Sequence, residues 1–264
     1  MKLDYIYKFN SVKEVCDFIE NTPNNKIEKC NTSELGSEKF TGTKSLNEAL
    51  HLLKYGDAAL LKQIQSIGTT TKQAKSQRRS SMDVYNSYLG FMPNVGAVLT
   101  GNPVNMYNIR RTLNKSTKVL NIIYDISTDA RTPARNIQEA ASKLFNYIQE
   151  KELKGYKVNL YVCLIAYYSS TAKGYKTGKT GFFCYKIKSS NEHFDALRTA
   201  FPLCHPSSLR RIFFALYERS DAPTQGNYGS PICQEFDSET ASNLVASQFP
   251  NYDYYNINTI DSAK

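Results

Sequence analysis

The chain has 264 residues, enough for one large domain or for a domain with an elaborated N-terminal half. A hydrophobic share of 41% is sufficient for a core, and no run approaches the ~20 apolar residues that span a bilayer. The net charge of +9 favours anionic partners, while the six cysteines and three histidines lack zinc or redox spacing, which predicts buried free thiols.

The N-terminal region is predicted to be mainly helical. Residues 5–9 alternate as in a strand, and helices are predicted after Ser11 and after Ser45, where apolar residues recur at helical spacing. Ser45 and Glu48 form a capping-box pattern, and Gly56 is placed to end that helix.

The next stretch is less regular. Residues 57–89 are predicted to be helical with an interruption at 68–71, and residues 68–81 are the candidate for a segment ordered by a partner. Residues 90–103 contain Gly, Pro and Asn at short intervals, which predicts a compact loop with one helical turn.

From Lys118 onward the pattern predicts strands and helices in alternation. Residues 119–125 and 158–167 are almost continuously apolar, as in strands covered on both faces, and Thr132 and Pro133 open an amphipathic helix between them. Further elements are predicted as a strand at 181–187 after a hairpin-like turn, and as helices at 192–200, at 207–218 and after Asp237.

This order predicts an α/β fold, with a mostly parallel sheet flanked by helices and a mainly helical N-terminal region. We expect residues 1–116 to form that N-terminal region and residues 117–264 to form the α/β domain. Arg210 and Arg211 fall on the polar side of the 207–218 helix, which predicts a surface feature.

The positive charge is concentrated in two stretches. Between Ala58 and Thr117 Asp83 is the one acid, and between Leu153 and Asn191 there is none. Such asymmetry favours nucleic acid or an acidic protein partner, with a solvated surface as the alternative. The candidate anion-binding residues are Lys72, Lys75, Arg78, Arg79, Arg110, Arg111, Lys173, Lys176 and Lys179.

The first core strand is predicted to end at Asp125, and Ser127 and Asp129 follow it. In open α/β sheets ligands bind beyond the carboxyl ends of the strands, so a site is expected there. Carboxylate and hydroxyl oxygens are ligands that Mg²⁺ accepts, which makes the three residues a candidate magnesium site. The alternative is a strand end followed by a Ser/Thr turn that leads to a helix cap.

The Asp125 segment resembles the metal-ion-dependent adhesion site of von Willebrand factor A domains, with Asp125 and Ser127 at its first two positions and Asp129 in place of a serine. The segments Phe40–Ala49, Pro93–Gly96 and Gly101–Met106 precede it in an order similar to that of an uncharacterised bacteriophage protein family with a von Willebrand A-like C-terminal half. The resemblance implies a von Willebrand A/Rossmann-like fold and a viral origin, and no activity.

No phosphate loop or nucleophile elbow is present in the sequence. We therefore expect a non-enzymatic phage protein that acts through assembly or partner binding, located in the host cytoplasm or the virion. The alternative is a nucleic-acid-binding protein whose basic residues neutralise phosphates and whose tyrosines stack on bases. Exposure of Tyr167, Tyr168 or Tyr175 would favour nucleic acid, and burial of these rings would favour assembly.

Overall fold

A computed structural model of the chain describes residues 2–67, 81–112, 118–170, 177–223, 228–257 and 259. The strands are β1 (Tyr5–Phe9), β2 (Ser81–Ser87), β3 (Met92–Pro93), β4 (Met106–Thr112), β5 (Val119–Asp125), β6 (Lys157–Ser170), β7 (Thr177–Lys188), β8 (Ser230–Pro231) and β9 (Asp253–Asn256). The α-helices are α1 (Val12–Asn21), α2 (Thr32–Leu35), α3 (Glu38–Thr41), α4 (Leu46–Tyr55), α5 (Ala58–Ile67), α6 (Val95–Leu99), α7 (Ala134–Leu153), α8 (Ala196–Cys204), α9 (Phe214–Glu218), α10 (Ile232–Glu235) and α11 (Ser238–Ala246). A π-helix (Ser208–Phe213) leads into α9.

The central sheet has the strand order β1-β7-β6-β5-β9, and β8 adds to β6. β1 runs parallel to β7, and β5 runs parallel to both β6 and β9, whereas β6 and β7 form an antiparallel hairpin. The prediction that residues 119–124 and 158–166 form neighbouring strands of one sheet is confirmed, with Ile122 opposite Leu160.

Both faces of this sheet are covered, because successive strand side chains point to opposite sides. On one face Ile122 and Leu160 pack with helices α1, α4, α5, α7, α8 and α9. On the other face Ile123 and Phe182 pack with Ile232 and the apolar side of α11. The protein is therefore mixed α/β, with a mostly parallel central sheet flanked by helices, as predicted.

The N-terminal helices share the larger core. Val15 of α1, Leu50 of α4 and Ile64 of α5 belong to the same buried cluster as Phe145 of α7 and Phe213 of the π-helix. The division of the chain near residue 117 stays a prediction.

Local signals placed several helix ends correctly. Ser45 accepts the backbone N–H of Glu48, and the Glu48 carboxylate accepts that of Lys44. Gly56 ends α4 at a φ of 89°, where a side chain would also meet the Leu197 carbonyl, so glycine is required there.

A second sheet of three strands, in the order β2-β4-β3, is formed by residues 81–112. Residues 81–87 are a strand, so the predicted helix over this part of 57–89 is wrong. Their pairing with β4, such as Val84 opposite Ile109, decides the conformation. The compact loop with a helical turn is present as β3 and α6.

Two further differences lie in the C-terminal half. The predicted helix at 192–200 begins later, where Asp195 accepts the backbone N–H groups of Leu197 and Arg198. β9 was not predicted from the sequence, and it adds to the sheet beside β5.

None of the helices within the described ranges is long and apolar enough to cross a membrane.

Candidate functional site

A cleft opens beyond the carboxyl end of β5, where the sequence places the Asp125 segment. It has a volume of about 470 Å³, and we call it the strand-end cleft. The residues that line it include Ser127, Thr128, Asp129, Leu164, Arg210 and Tyr228. The cleft therefore lies where open α/β sheets bind ligands.

Asp125 lies beneath the cleft and is fully buried. One carboxylate oxygen accepts the backbone N–H of Ser127 at 2.9 Å, and the other accepts the Tyr254 hydroxyl at 2.8 Å. Burial raises the pKa of Asp125 to about 6, although the hydrogen bonds from Ser127 and Tyr254 favour the charged form. Tyr254 belongs to β9, so the sequence offered no sign of this partner.

Two hydroxyl groups, those of Ser127 and Thr128, belong to residues that line the cleft. Ser127 is 1% exposed, and its Oγ makes no hydrogen bond of standard geometry within the described structure, although its side chain helps to lower the pKa of Asp125. The Thr128 Oγ1 is also buried without such a bond. Both can donate and accept, so the cleft can hold a polar group.

The three predicted magnesium ligands are close in the chain but are used differently. Ser127 and Asp129 line the cleft, and Asp129 also accepts the backbone N–H of Arg131 at 2.9 Å. Asp125 is not among the residues that line the cleft. Across the described residues, no three His, Cys, Asp or Glu side chains are grouped to hold a metal ion. A magnesium ion here stays a prediction.

Arg210 and Arg211 are buried, so their prediction as a surface feature is wrong. Arg210 donates to the carbonyls of Phe40 at 2.7 Å and Thr132 at 2.6 Å, and its guanidinium lies 4.2 Å from the centre of the Phe40 ring. Arg210 thereby connects α3 to the loop that carries Ser127. The π-helical turn places both arginines inward, and such turns are frequent at functional sites.

Further basic residues are also used inside the protein. Lys188 is 3% exposed and forms an ion pair with Glu152 at 2.8 Å. Lys26 donates to the carbonyls of Tyr217 and Ser220. These charges belong to the folded core and cannot bind a polyanion at the surface.

The predicted anion-binding residues are only partly within the described structure. Lys72, Lys75, Arg78, Arg79, Lys173 and Lys176 lie outside the described residues. The backbones of Arg110 and Arg111 lie in β4, opposite Asp83 and Met82 of β2. Lys179 is exposed, and its ammonium donates to the Tyr5 hydroxyl at 3.0 Å. The described residues bring no group of these cations together.

The second sheet forms a different kind of surface. Ten of the sixteen large hydrophobic side chains that the described residues expose come from this one unit, so the exposure is concentrated there. They are Val84, Tyr85, Tyr88, Leu89, Phe91, Met92, Val95, Val98, Leu99 and Ile109. We call residues 81–112 the second-sheet unit and these side chains its apolar surface. Exposed apolar side chains concentrated in one part of a protein are typical of protein interaction sites.

The apolar surface was missed from the sequence because residues 57–89 were predicted as helical. One signal was present: residues 84–109 contain no Asp, Glu, Lys or Arg. No residue in this range is buried, which only the three-dimensional structure reveals.

The architecture defines the class of the protein as mixed α/β, with a central sheet covered on both faces and a cleft at its strand ends. The chain belongs to the family described as Domain of unknown function (DUF7192), whose model matches residues 2–262. No curated protein and no solved structure matches the chain significantly.

Proposed function

We propose that this protein acts without catalysis, by binding a protein partner through the apolar surface of the second-sheet unit. The observation that carries the proposal is the exposure of Leu89 and Leu99, 80% and 81%, within a unit that has no buried residue between positions 84 and 109. Apolar surface left in water is unfavourable by roughly 25 cal/mol per Å², which a protein partner would recover on binding.

The burial of Tyr167 and Tyr168 supports assembly over nucleic-acid binding. Tyr167 and Tyr168 are 4% and 2% exposed, and Tyr168 stacks on Tyr217 inside the core. Rings placed in this way are not accessible for stacking on bases. Tyr175 lies outside the described residues.

The resemblance noted from the sequence extends this proposal. We propose that the α/β half is von Willebrand A-like and that the protein works during a phage infection, in the host cytoplasm or in the virion. The strand-end cleft beside Ser127 supports the first part because its position agrees with the rule for ligand sites in open α/β sheets. In this proposal magnesium remains the candidate ligand of that cleft.

The test is a comparison of exposed leucines. Leu89→Ser combined with Leu99→Ser removes apolar surface from the second-sheet unit, whereas Leu35→Ser changes a leucine that is 76% exposed in α2. Tagged full-length chains are purified from the cells in which the protein is naturally made, and the co-purifying proteins are quantified. We expect the double variant to lose partners that the wild type and Leu35→Ser retain. Equal recovery from all three would refute the proposal.

Nucleic acid is tested in parallel by the dependence of binding on salt. Each phosphate contact should add about 0.7 to 0.9 to the slope of log affinity against log salt. Replacing Lys72, Lys75, Arg78 and Arg79 by Ala should flatten that slope if the basic segment binds nucleic acid. We expect weak binding at physiological salt and no change in slope.

A further inference from the structure

We propose that the strand-end cleft binds a small organic carboxylate, whose charged group is held by Arg210 with help from Lys29. This inference goes beyond the proposed function, because it concerns a different part of the molecule and does not need a protein partner. It follows from the hydrogen bonds of Arg210, the charge of the cleft and the residues that form its walls.

Arg210 is a buried cation without a counter-charge. It lines the cleft and is 3% exposed. Burial lowers the pKa of its guanidinium, and no carboxylate among the described residues pairs with it to offset that effect. A charge in the interior is unfavourable unless it is paired and hydrogen-bonded, so the position of Arg210 indicates an anion that comes from outside the chain.

The hydrogen bonds of Arg210 also leave donors for a ligand. A guanidinium has five N–H groups. Those on Nη1 and Nη2 of Arg210 donate to the carbonyls of Phe40, Ala130 and Thr132. Within the described part of the chain, the Nε–H and one N–H of Nη1 have no acceptor. A carboxylate has two acceptor oxygens and forms strong hydrogen bonds with such donors.

The other two buried arginines of the described residues are satisfied by the protein itself. Arg211 donates to one hydroxyl and to four carbonyls. Arg219 lies with Nη2 at 3.1 Å from a carboxylate oxygen of Glu34 and with Nη1 at 3.8 Å from one of Glu218. Arg210 differs from both, because it has neither a carboxylate partner nor a full set of acceptors.

The charge of the cleft favours a singly charged anion. Lys29 lines the cleft, is exposed, and forms no ion pair with a described residue. Asp129 lines it too, and its carboxylate accepts the backbone N–H of Arg131. Two cations and one carboxylate leave a net charge of +1. This charge matches a carboxylate better than a phosphate group, which carries about −1.5 to −2 at pH 7. Magnesium, the other candidate for this cleft, would add positive charge beside Arg210.

The walls of the cleft suit the organic part of such a ligand. Leu164, Leu209, Phe214 and Pro231 line it together with polar residues such as Asn31. Ligand pockets combine apolar walls with a few placed polar groups, and their volumes are roughly 300–1,000 Å³. At about 470 Å³ the strand-end cleft is in this range, so it can enclose an aromatic or aliphatic group next to the carboxylate.

The experiment measures the binding of four small molecules to the full-length chain by ligand-observed NMR, in EDTA so that no divalent metal contributes. Benzoate has a carboxylate and an apolar body, benzamide is its neutral counterpart, phenyl phosphate carries more charge, and acetate lacks the body. We expect benzoate to bind with a dissociation constant of about 0.1 to 5 mM, which a ligand of this size can reach. Benzamide, phenyl phosphate and acetate should each bind about tenfold more weakly, because each loses the charge match or the apolar contact.

Three variants locate the site. Arg210→Lys keeps the positive charge but removes the planar arrangement of donors, so we expect benzoate to bind about tenfold more weakly. Lys29→Gln removes an exposed ammonium and should weaken binding about two- to fivefold. Lys13→Gln is the control, because this exposed lysine of α1 does not line the cleft, and its affinity for benzoate should equal that of the wild type. Circular dichroism verifies that each variant is folded, and if Arg210→Lys does not fold, Lys29→Gln decides.

Several results would overturn the inference. Benzoate that does not bind at up to about 20 mM is one, and equal binding of benzoate and benzamide is another, because charge would then not matter. Unchanged affinity in Lys29→Gln and in folded Arg210→Lys would place the ligand elsewhere. Tighter binding of phenyl phosphate than of benzoate would contradict the carboxylate. Benzoate binding that requires added magnesium would show that the metal, and not Arg210, holds the anion.

Discussion

The side chain of Arg211 donates from Nε to the hydroxyl of Thr43 at 2.8 Å, joining residues 168 positions apart in the chain. Its terminal nitrogens donate to the carbonyls of Ser33, Gly36 and Thr43 at 2.7 to 2.9 Å. The guanidinium is fully buried, and the Thr43 hydroxyl and three backbone carbonyls accept its hydrogen bonds. It therefore fixes the segment that contains α2 and α3 against the core.

Replacing Arg211 by Lys tests this role. The ammonium of lysine has three donors on one atom and cannot reach carbonyls on separate sides as the planar guanidinium does. We expect Arg211→Lys to lower the free energy of unfolding by about 3 kcal/mol, because buried carbonyls lose their partners. Urea unfolding measures the change. Arg198→Lys, where the side chain is 66% exposed, should change stability by less than about 0.5 kcal/mol.

Asp125 should make stability fall as the pH rises. Its pKa is raised by burial to about 6, above the value of the unfolded chain. Between the two pKa values the folded state holds a proton that the unfolded state has released, so the contribution of Asp125 to stability is greatest below about pH 4 and declines until about pH 6. Asp125→Asn keeps an acceptor for the Ser127 N–H and removes this decline. Relative to the wild type, we expect the variant to gain up to about 3 kcal/mol between pH 4 and 7.

That comparison is made by urea unfolding across the pH range. Asp237→Asn is the control, because Asp237 is an exposed cap whose pKa is lowered by its hydrogen bond with Thr240. The difference between the control and the wild type should change with pH in the opposite direction. If the unfolding free energy of Asp125→Asn changes with pH in parallel with that of the wild type, the pKa of Asp125 is not raised in the folded protein.

His205 should have the reverse effect. Burial lowers the pKa of this imidazole to about 4, and its Nδ1 accepts the backbone N–H of Ser207 at 3.0 Å. The unfolded chain gains a proton near pH 6.5 that the folded protein refuses, so stability is lost as the pH falls from about 6.5 to about 4. His205→Asn can preserve the acceptor without titrating. We expect its unfolding free energy, measured by urea unfolding between pH 4 and 7, to be less sensitive to acid than that of the wild type.

The magnesium prediction is tested by calorimetric titration. Both carboxylate oxygens of Asp125 already accept hydrogen bonds, so a metal must compete with Ser127 and Tyr254. We expect binding no tighter than about 0.1 to 1 mM, the range of weak oxygen-ligand sites. Any heat of magnesium binding should be absent in Asp125→Ala. It should be retained in Glu139→Ala, which replaces a glutamate on the surface of α7. Micromolar binding that survives Asp125→Ala would place the ion elsewhere.

Strong local patterns accounted for much of the fold. The apolar runs of β5 and β6, the period of α7 and the caps Ser45 and Asp237 are properties of short segments, and the structure contains all of them. The sequence also indicated where a cleft would lie, because ligand sites of open α/β sheets lie beyond the carboxyl ends of strands, and the end of β5 is recognisable from its apolar run.

The amino-acid sequence by itself determined the mixed α/β class of the protein, because hydrophobic periodicity and helix capping depend on residues only a few positions apart. Tertiary structure decided how the charged and apolar side chains are used. Arg211 looks like a surface cation in a helical pattern, and its burial depends on carbonyls that lie more than 160 residues away. Likewise, Val84 was assigned to a helix, but pairing with Ile109 makes it part of a strand and leaves it exposed. Such outcomes depend on contacts between distant segments, and no local window of sequence contains both partners.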